Sequence, residues 1–312
     1  MNWPLLINTA ELAGLVGAPI TEVPLPGLAQ PGSRLLPTPT TMSTGGVTLG
    51  STNYPGSEQR LTLQVEDRLR HSWILGPTGV GKSTLLANLA VQDMQAGHGL
   101  ILIEPKGDLV ADILDRVPRE RVDDVIVLDP AKTDVPVGFN LLNLAKGEHA
   151  AELVTDHIVH VLHEIYKASW GPRTADVVRS SVLTLVNARA ADGSAFTLSE
   201  LPELLTNAGF RRFVITQPTV PNSLRSFWSW FEGLSEAERI QVIGPTMNKL
   251  RSFTTRTPLR LMLGQSDGLD LTDVFANRKI LLVNLSTAEL GEEGSFLIGS
   301  LLVAAIWHAT LA

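Results

Sequence analysis

Cysteine is absent from all 312 residues, which excludes disulfides and thiolate-bound metal and agrees with a reducing compartment. No basic start followed by an apolar run occurs in residues 1–20, so a secretory signal is not expected. Excess positive charge is also missing: formal charge is −7, and no global field draws in nucleic acid. Long uncharged runs are scarce. The one membrane candidate, Phe296–Ala312, is seventeen residues long and interrupted by Ser300, His308 and Thr310, so a buried helix is the expected form. What remains is the composition of a soluble globular protein, 44% hydrophobic and 18% charged, long enough for more than one structural unit.

Organisation along the chain follows from local signals. Asn8 and Glu11 form a capping-box pair before Leu12, Leu15 and Val16, and prolines crowd the stretch 19–39, which predicts a short helix and an extended arm. Short strands are expected at 47–49 and 61–65. From His71 the pattern becomes β-α-β-α-β: a strand at Ser72–Leu75, a helix over 82–96, a strand at Leu100–Ile103, a helix from Asp108 to Val117, and a strand at Val125–Leu128. Apolar strands of this kind belong to an open parallel sheet covered on both faces. Five helices are then expected at 148–167, 173–191, 198–208, 223–232 and 235–253. A strand returns at 279–285, and an apolar helix over 292–312 is left with a partly uncovered face.

The chemistry centres on Gly76-Pro77-Thr78-Gly79-Val80-Gly81-Lys82-Ser83-Thr84. Glycines at this spacing, between a strand and a helix, let backbone amides turn inward around a phosphate. Lys82 is placed to neutralise the β/γ oxygens and Ser83 to ligate Mg²⁺, so ATP and Mg²⁺ are the expected ligands. Hydrolysis further needs acids at strand ends. Glu104 and Asp129 are the candidates, although Glu104-Pro105 and Asp129-Pro130 also read as turns, and Asn284 ends the last strand without a carboxylate. Lys249, Arg251, Arg256 and Arg260 form the best local cationic cluster for phosphate or DNA, with a solvated helix face as the plainer alternative. His157, His160 and Glu164 share a helix face, but Leu153, Ile158 and Val161 already supply that helix with an apolar side, which favours solvated polar residues over metal ligands. Trp228, Trp230 and Phe231 read as packing.

Several motifs together resemble a known family. They are Gly76–Thr84, the run Glu104–Leu109, Leu128–Pro130, Gly138–Leu142, Trp170–Arg173, Asn248–Leu250 and Leu290–Glu292. Over residues 45–312 they resemble the coupling-protein ATPases of conjugation and type IV secretion, within the FtsK/HerA class of ring-forming DNA motors. The resemblance implies an α/β fold, a RecA-like P-loop open parallel sheet interrupted by an all-α insertion. The expected division is an arm over 1–70, core over 71–145, helical insertion over 146–271, and the incomplete remainder of the core over 272–312. It also implies a homo-oligomeric ring, hexameric in the family, with DNA or a protein–DNA complex as cargo. Such proteins work in the cytoplasm or at the inner face of the membrane, beside a secretion channel reached through other subunits or segments. In the family the acidic strand follows the helix over 292–312, so this chain is expected to bind nucleotide and to hydrolyse it slowly or not at all. A non-hydrolysing nucleotide-binding fragment, a HerA-like DNA-processing ATPase and a small-molecule P-loop kinase are the other readings, the last weakened by some 125 intervening helical residues.

Overall fold

The structure is a computed structural model, and it describes residues 45–311 apart from 53, 57, 131 and 145–147. The arm expected before residue 45 lies outside the described residues. The chain divides into two compact units, Met1–Ile74 and Leu75–Ala312. In the first, strands β1 (Val47–Ser51) and β2 (Arg60–Leu63) pair antiparallel, with a register shift between Thr48 and Gly50. A short helix α1 (Val65–Arg68) follows.

The second unit begins with the glycine loop and helix α2 (Lys82–Gln95), then β3 (Leu100–Glu104), α3 (Asp108–Leu114) and β4 (Val125–Leu128). Between β4 and the next strand the described residues form helices and turns, apart from one isolated bridge between Arg189 and Ala195. The helices are α4 (Glu148–Ile165), α5 (Pro172–Asn187), α6 (Leu201–Thr206), α7 (Ala208–Ile215), α8 (Arg225–Gly233), α9 (Glu236–Thr254), α10 (Thr257–Leu263) and α11 (Leu271–Ala276). Then come β5 (Ile280–Asn284) and α12 (Thr287–Leu311).

The three later strands form a parallel sheet of order β3-β5-β4, with Glu104 level with Asn284 and Leu128 level with Val283. The last strand in sequence is therefore the middle one in space. Its side chains alternate between faces. Ile280 and Leu282 pack with Ala87 and Met94 of α2 and Leu109 and Ile113 of α3. Leu281 and Val283 face the other way, into a larger core shared with Leu297, Leu301 and Leu302 of α12 and running on through α4, α5 and α9. Burial on both faces explains why β5 is apolar throughout.

Two sets of polar contacts hold this arrangement. Arg121 is buried, and its guanidinium donates to the carbonyls of Met94, His98 and Arg278 and to Asp124. One cation thus ties the end of α2 to the turn entering β5. The run Gly138–Asn140 is sewn to the helical side: Leu269 N donates to Gly138 O at 2.8 Å, Phe139 N to Met262 O at 2.8 Å, and the Asn140 amide to Phe196 O and Ser266 O. Gly138 and Gly268 touch backbone to backbone, with no room for a Cβ on either.

Some expectations need correction. Ser72–Leu75 is not a strand: residues 71–77 have no regular structure, and Trp73 and Leu75 are 86% and 74% exposed. Four residues of β-propensity form no strand without a ladder partner, and neither β3 nor β4 pairs with them. The run expected at 61–65 ends at Leu63, because Val65 enters α1. The helix expected over 198–208 breaks at Asn207, whose side chain caps α7 by accepting from Gly209 N and Phe210 N. Helices α7, α10 and α11 were not anticipated; they are short, and each is set by a cap or a proline in its first turn rather than by periodicity. Finally, α12 starts five residues before the expected position, and it is interrupted at Gly291 by a non-helical φ of 71°.

Candidate nucleotide site

The glycine loop lies directly ahead of α2, and α2 returns through Gly97 into β3. That hairpin-like connection sets the amino end of α2 toward the carboxyl edge of the sheet, where open α/β folds hold ligands. Gly79 and Gly81 adopt left-handed φ values of 87° and 91°, a region that costs an L side chain, and a Cβ built on either meets nothing within 4 Å. Among the described residues the amides of Gly79 to Thr84 donate to no backbone carbonyl, as the first turn of a helix requires. Gly81 supplies α2 with no side-chain cap. A row of unsatisfied donors at a positive helix end is the geometry that fits a phosphate.

Lys82 folds back over the loop, its Nζ donating to Gly76 O at 2.7 Å and Pro77 O at 2.6 Å. These neutral carbonyls hold the ammonium at the mouth of the loop, from which a phosphate oxygen could displace them as a charge-assisted partner. Ser83 and Thr84 are exposed at the start of α2. The hydroxyl of Ser83 is the group available to a phosphate-bound Mg²⁺.

Along the carboxyl edge, Glu104 ends β3, Asn284 ends β5 beside it, and Asp129 follows β4 on the far side. Two strand spacings separate Glu104 from Asp129, about 10 Å. Glu104 is engaged within its own turn: its carboxylate accepts from Lys106 N at 3.1 Å and Leu109 N at 3.3 Å, capping α3. Asn284 Oδ1 accepts from Ser286 N at 3.0 Å, and a Cβ on Gly107 would meet that same oxygen at 2.9 Å. Leu285 N donates to Glu104 O and Thr287 N to Pro105 O. The turns after β3 and β5 are therefore one hydrogen-bonded platform, and Gly107 is required for its close packing.

Of the four residues of the cationic cluster, Lys249 alone is buried, while Arg251, Arg256 and Arg260 are exposed. Lys249 is buried, its Nζ donating to Pro245 O at 3.2 Å and lying over the Tyr166 ring, and burial pushes its pKa down. Arg256 donates to Leu290 O and fills the space beside Gly291, where a Cβ would meet its Nη1 at 2.6 Å. Arg251 and Arg260 face solvent, and neither forms an ion pair among the described residues. On α4, His157 Nδ1 lies 2.9 Å from His308 Nε2 of α12, while His160 and Glu164 line a groove beside them. No three such side chains among the described residues could hold a metal ion. Trp228 and Phe231 are buried in an aromatic cluster, with the Trp228 indole donating to Thr184 Oγ1 at 2.9 Å. Helix α12 is long and apolar enough to cross a membrane by length and composition, yet Ile298, Leu301, Leu302 and Ala305 are fully buried in the core.

Arg121 is a buried structural cation that the sequence does not signal. It stands in an acidic run, Glu120 to Asp124, that reads as an exposed turn. Only the convergence of three distant carbonyls gives it a role, and no local pattern signals that.

No family model matches the chain, and no curated protein matches it. Among solved structures, the plasmid coupling protein TrwB in complex with ADP and Mg²⁺ aligns at 17% identity over 81% of this chain and 55% of that one, with a TM-score of 0.50. An unbound form of a bacterial conjugative coupling protein aligns at 17% identity over 76% and 50% of the two chains, with a TM-score of 0.48. TrwB with a non-hydrolysable ATP analogue aligns at 18% over 76% and 52%, with a TM-score of 0.46. The chain thus spans about half the length of the solved structures it matches. With its parallel sheet, its glycine loop ahead of α2 and its helical mass between β4 and β5, the chain has the fold of the plasmid coupling protein TrwB.

Proposed function

We propose that this chain is the nucleotide-binding part of a conjugative coupling protein of the TrwB type, belonging to a ring-forming motor that moves DNA or a protein–DNA complex. One observation carries the reading: an uncapped α2 preceded by left-handed Gly79 and Gly81, with Lys82 over the loop, on a fold shared with a protein solved with ADP and Mg²⁺. In this reading Gly76 to Thr84 hold the phosphates of ATP, Lys82 neutralises the β/γ oxygens, and Ser83 ligates Mg²⁺. Residues 146–271 act as a helical insertion between core segments 71–145 and 272–312. Arg251, Arg256 and Arg260, all exposed, are the remaining candidates for phosphate or DNA contacts. The assembly is a homo-oligomer, hexameric as in the family, in the cytoplasm or against the inner face of the membrane beside a secretion channel.

Binding of a fluorescent ATP analogue with Mg²⁺ tests the site. Lys82→Ala should weaken it at least about 100-fold, some 2.7 kcal/mol, with unchanged thermal stability, since Lys82 bonds only to its own loop. Equal affinity in both proteins would refute the assignment.

A second reading, nucleotide binding without appreciable turnover by this chain, is favoured by the edge itself. Glu104 caps α3 and Asn284 supplies no carboxylate, whereas hydrolysis calls for an acid that orients water. Turnover at about 1 s⁻¹ or faster, within the ordinary enzyme range, would exclude it and point to Asp129.

A further inference from the structure

Two histidines far apart in the chain meet between α4 and α12. His157 Nδ1 lies 2.9 Å from His308 Nε2, and the rings cross at 66° with centroids 4.9 Å apart. The sequence groups His157 with His160 and Glu164 on one helix face, but the fold pairs it with a residue 151 positions on. Among the described residues neither ring is in an ion pair. Two neutral imidazoles at this distance share one N–H, so one nitrogen donates and the other offers its lone pair.

The spacing is also that of two ligands on one metal ion. Imidazole nitrogens sit about 2.0–2.1 Å from a first-row divalent ion, so two at right angles are separated by about 2.9 Å. Moving the donor ring's proton to its other nitrogen frees both facing lone pairs and releases no proton. The surroundings suit a cation. His308 stands in the last turn of α12, at the negative end of that helix. Burial, then the facing His157, hold its pKa below the usual imidazole range, so the ring is neutral near pH 7. A cavity of about 470 Å³ opens beside His157, and another of about 480 Å³ opens beside His308, walled in part by Asn143 and Asp270. Solvent therefore reaches the pair from two sides. No third side chain among the described residues completes a metal cluster, which leaves the other positions to water.

We propose that His157 and His308 form a two-imidazole site for a first-row divalent transition ion, whose binding pins α4 to α12. Ions of this class take imidazole nitrogen, whereas Mg²⁺ and Ca²⁺ take oxygen. The site is separate from the glycine loop and independent of nucleotide.

Calorimetric titration of the untagged full chain with Ni²⁺, near pH 7.5 and without nucleotide, tests it. One equivalent should bind, at least about tenfold more tightly than Mg²⁺. His157→Gln and His308→Gln should each weaken it at least about tenfold. Glutamine keeps a hydrogen-bonding group of similar reach, so both variants should fold, and their melting temperatures without metal check this. His163, paired with Glu164 on the same helix, is the control: Ni²⁺ should raise the melting temperature of the wild type and of His163→Gln, but of neither pair variant. A measurement on the wild type alone needs no variant. Substoichiometric Ni²⁺ should broaden the ring resonances of His157 and His308 before those of His71, His98 and His149. Equal broadening of all seven histidines, binding that survives in both pair variants, or affinity no better than for Mg²⁺ would each overturn the proposal. So would loss of the ion in Lys82→Ala, which would place it at the glycine loop.

Discussion

Two pairs of glycines in this molecule do opposite work. Gly79 and Gly81 stand in open space and are needed for their left-handed φ values, which turn the loop amides inward. Gly138 and Gly268 have ordinary conformations and are needed because their backbones touch. The first pair belongs to an exposed loop held by little besides its own lysine; the second belongs to a seam where Asn140 and four carbonyls close a core. Chemistry sits where the chain is left unsatisfied, and stability where it is satisfied. The same residue type therefore predicts different phenotypes at the two places.

That contrast breaks most violently at Gly268→Ala. Its Cβ would be driven into the Gly138 backbone, which cannot yield as a side chain would, so a loss of about 3 kcal/mol or more is expected. Urea unfolding would report it, and a change below about 1 kcal/mol would mean that the seam is looser than the packing indicates.

Gly81→Ala acts on the other pair. The left-handed φ costs a Cβ about 1–2 kcal/mol, here confined to the glycine loop. Nucleotide affinity should fall about tenfold while the melting temperature stays within a few degrees. A variant that melts far earlier yet binds normally would reverse the roles assigned to the two pairs.

Glu104→Gln is a finer probe, because the sequence offers Glu104 as an acid and the structure makes it a cap. The amide retains an acceptor but loses the charge favoured at the start of α3, so about 1 kcal/mol of stability should go. Any slow turnover should be unaffected. A large fall in turnover with unchanged stability would restore Glu104 as a catalytic acid.

The smallest effect comes from acid. Burial, then the facing His157, holds the His308 pKa below the usual imidazole range. The unfolded chain therefore takes up this proton more readily than the folded one. Stability from this source is complete above about pH 6.5, and it declines as pH falls below that value. Melting temperatures between pH 7.5 and 5.5 should show a slope that His308→Gln reduces, whereas nucleotide affinity should keep its own pH profile in both proteins. An identical slope in the variant would place the acid sensitivity elsewhere.

Much of the candidate site was legible in the residues because a glycine loop is local. Its glycines, lysine and hydroxyl are neighbours in the chain, and α2 begins where the spacing requires. Strands β3, β4 and β5 were legible too, since burial on both faces leaves an unbroken apolar run. Ser72–Leu75 has similar composition but lacks a ladder partner, and partners are not a local property. Lys249 looked like one of four clustered cations until the fold of α9 turned it beneath Tyr166.

The sequence by itself determined the glycine loop, the helix behind it and the apolar strands, because each depends on residues within a few positions of one another. Only the tertiary structure decided that β5 sits between β3 and β4, that Glu104 caps α3, that Arg121 joins three distant carbonyls, and that Gly138 must meet Gly268. Those contacts span from five to more than 150 residues of chain. Their energies depend on which backbones and carbonyls the whole fold brings together, and spacing along the sequence does not carry that information.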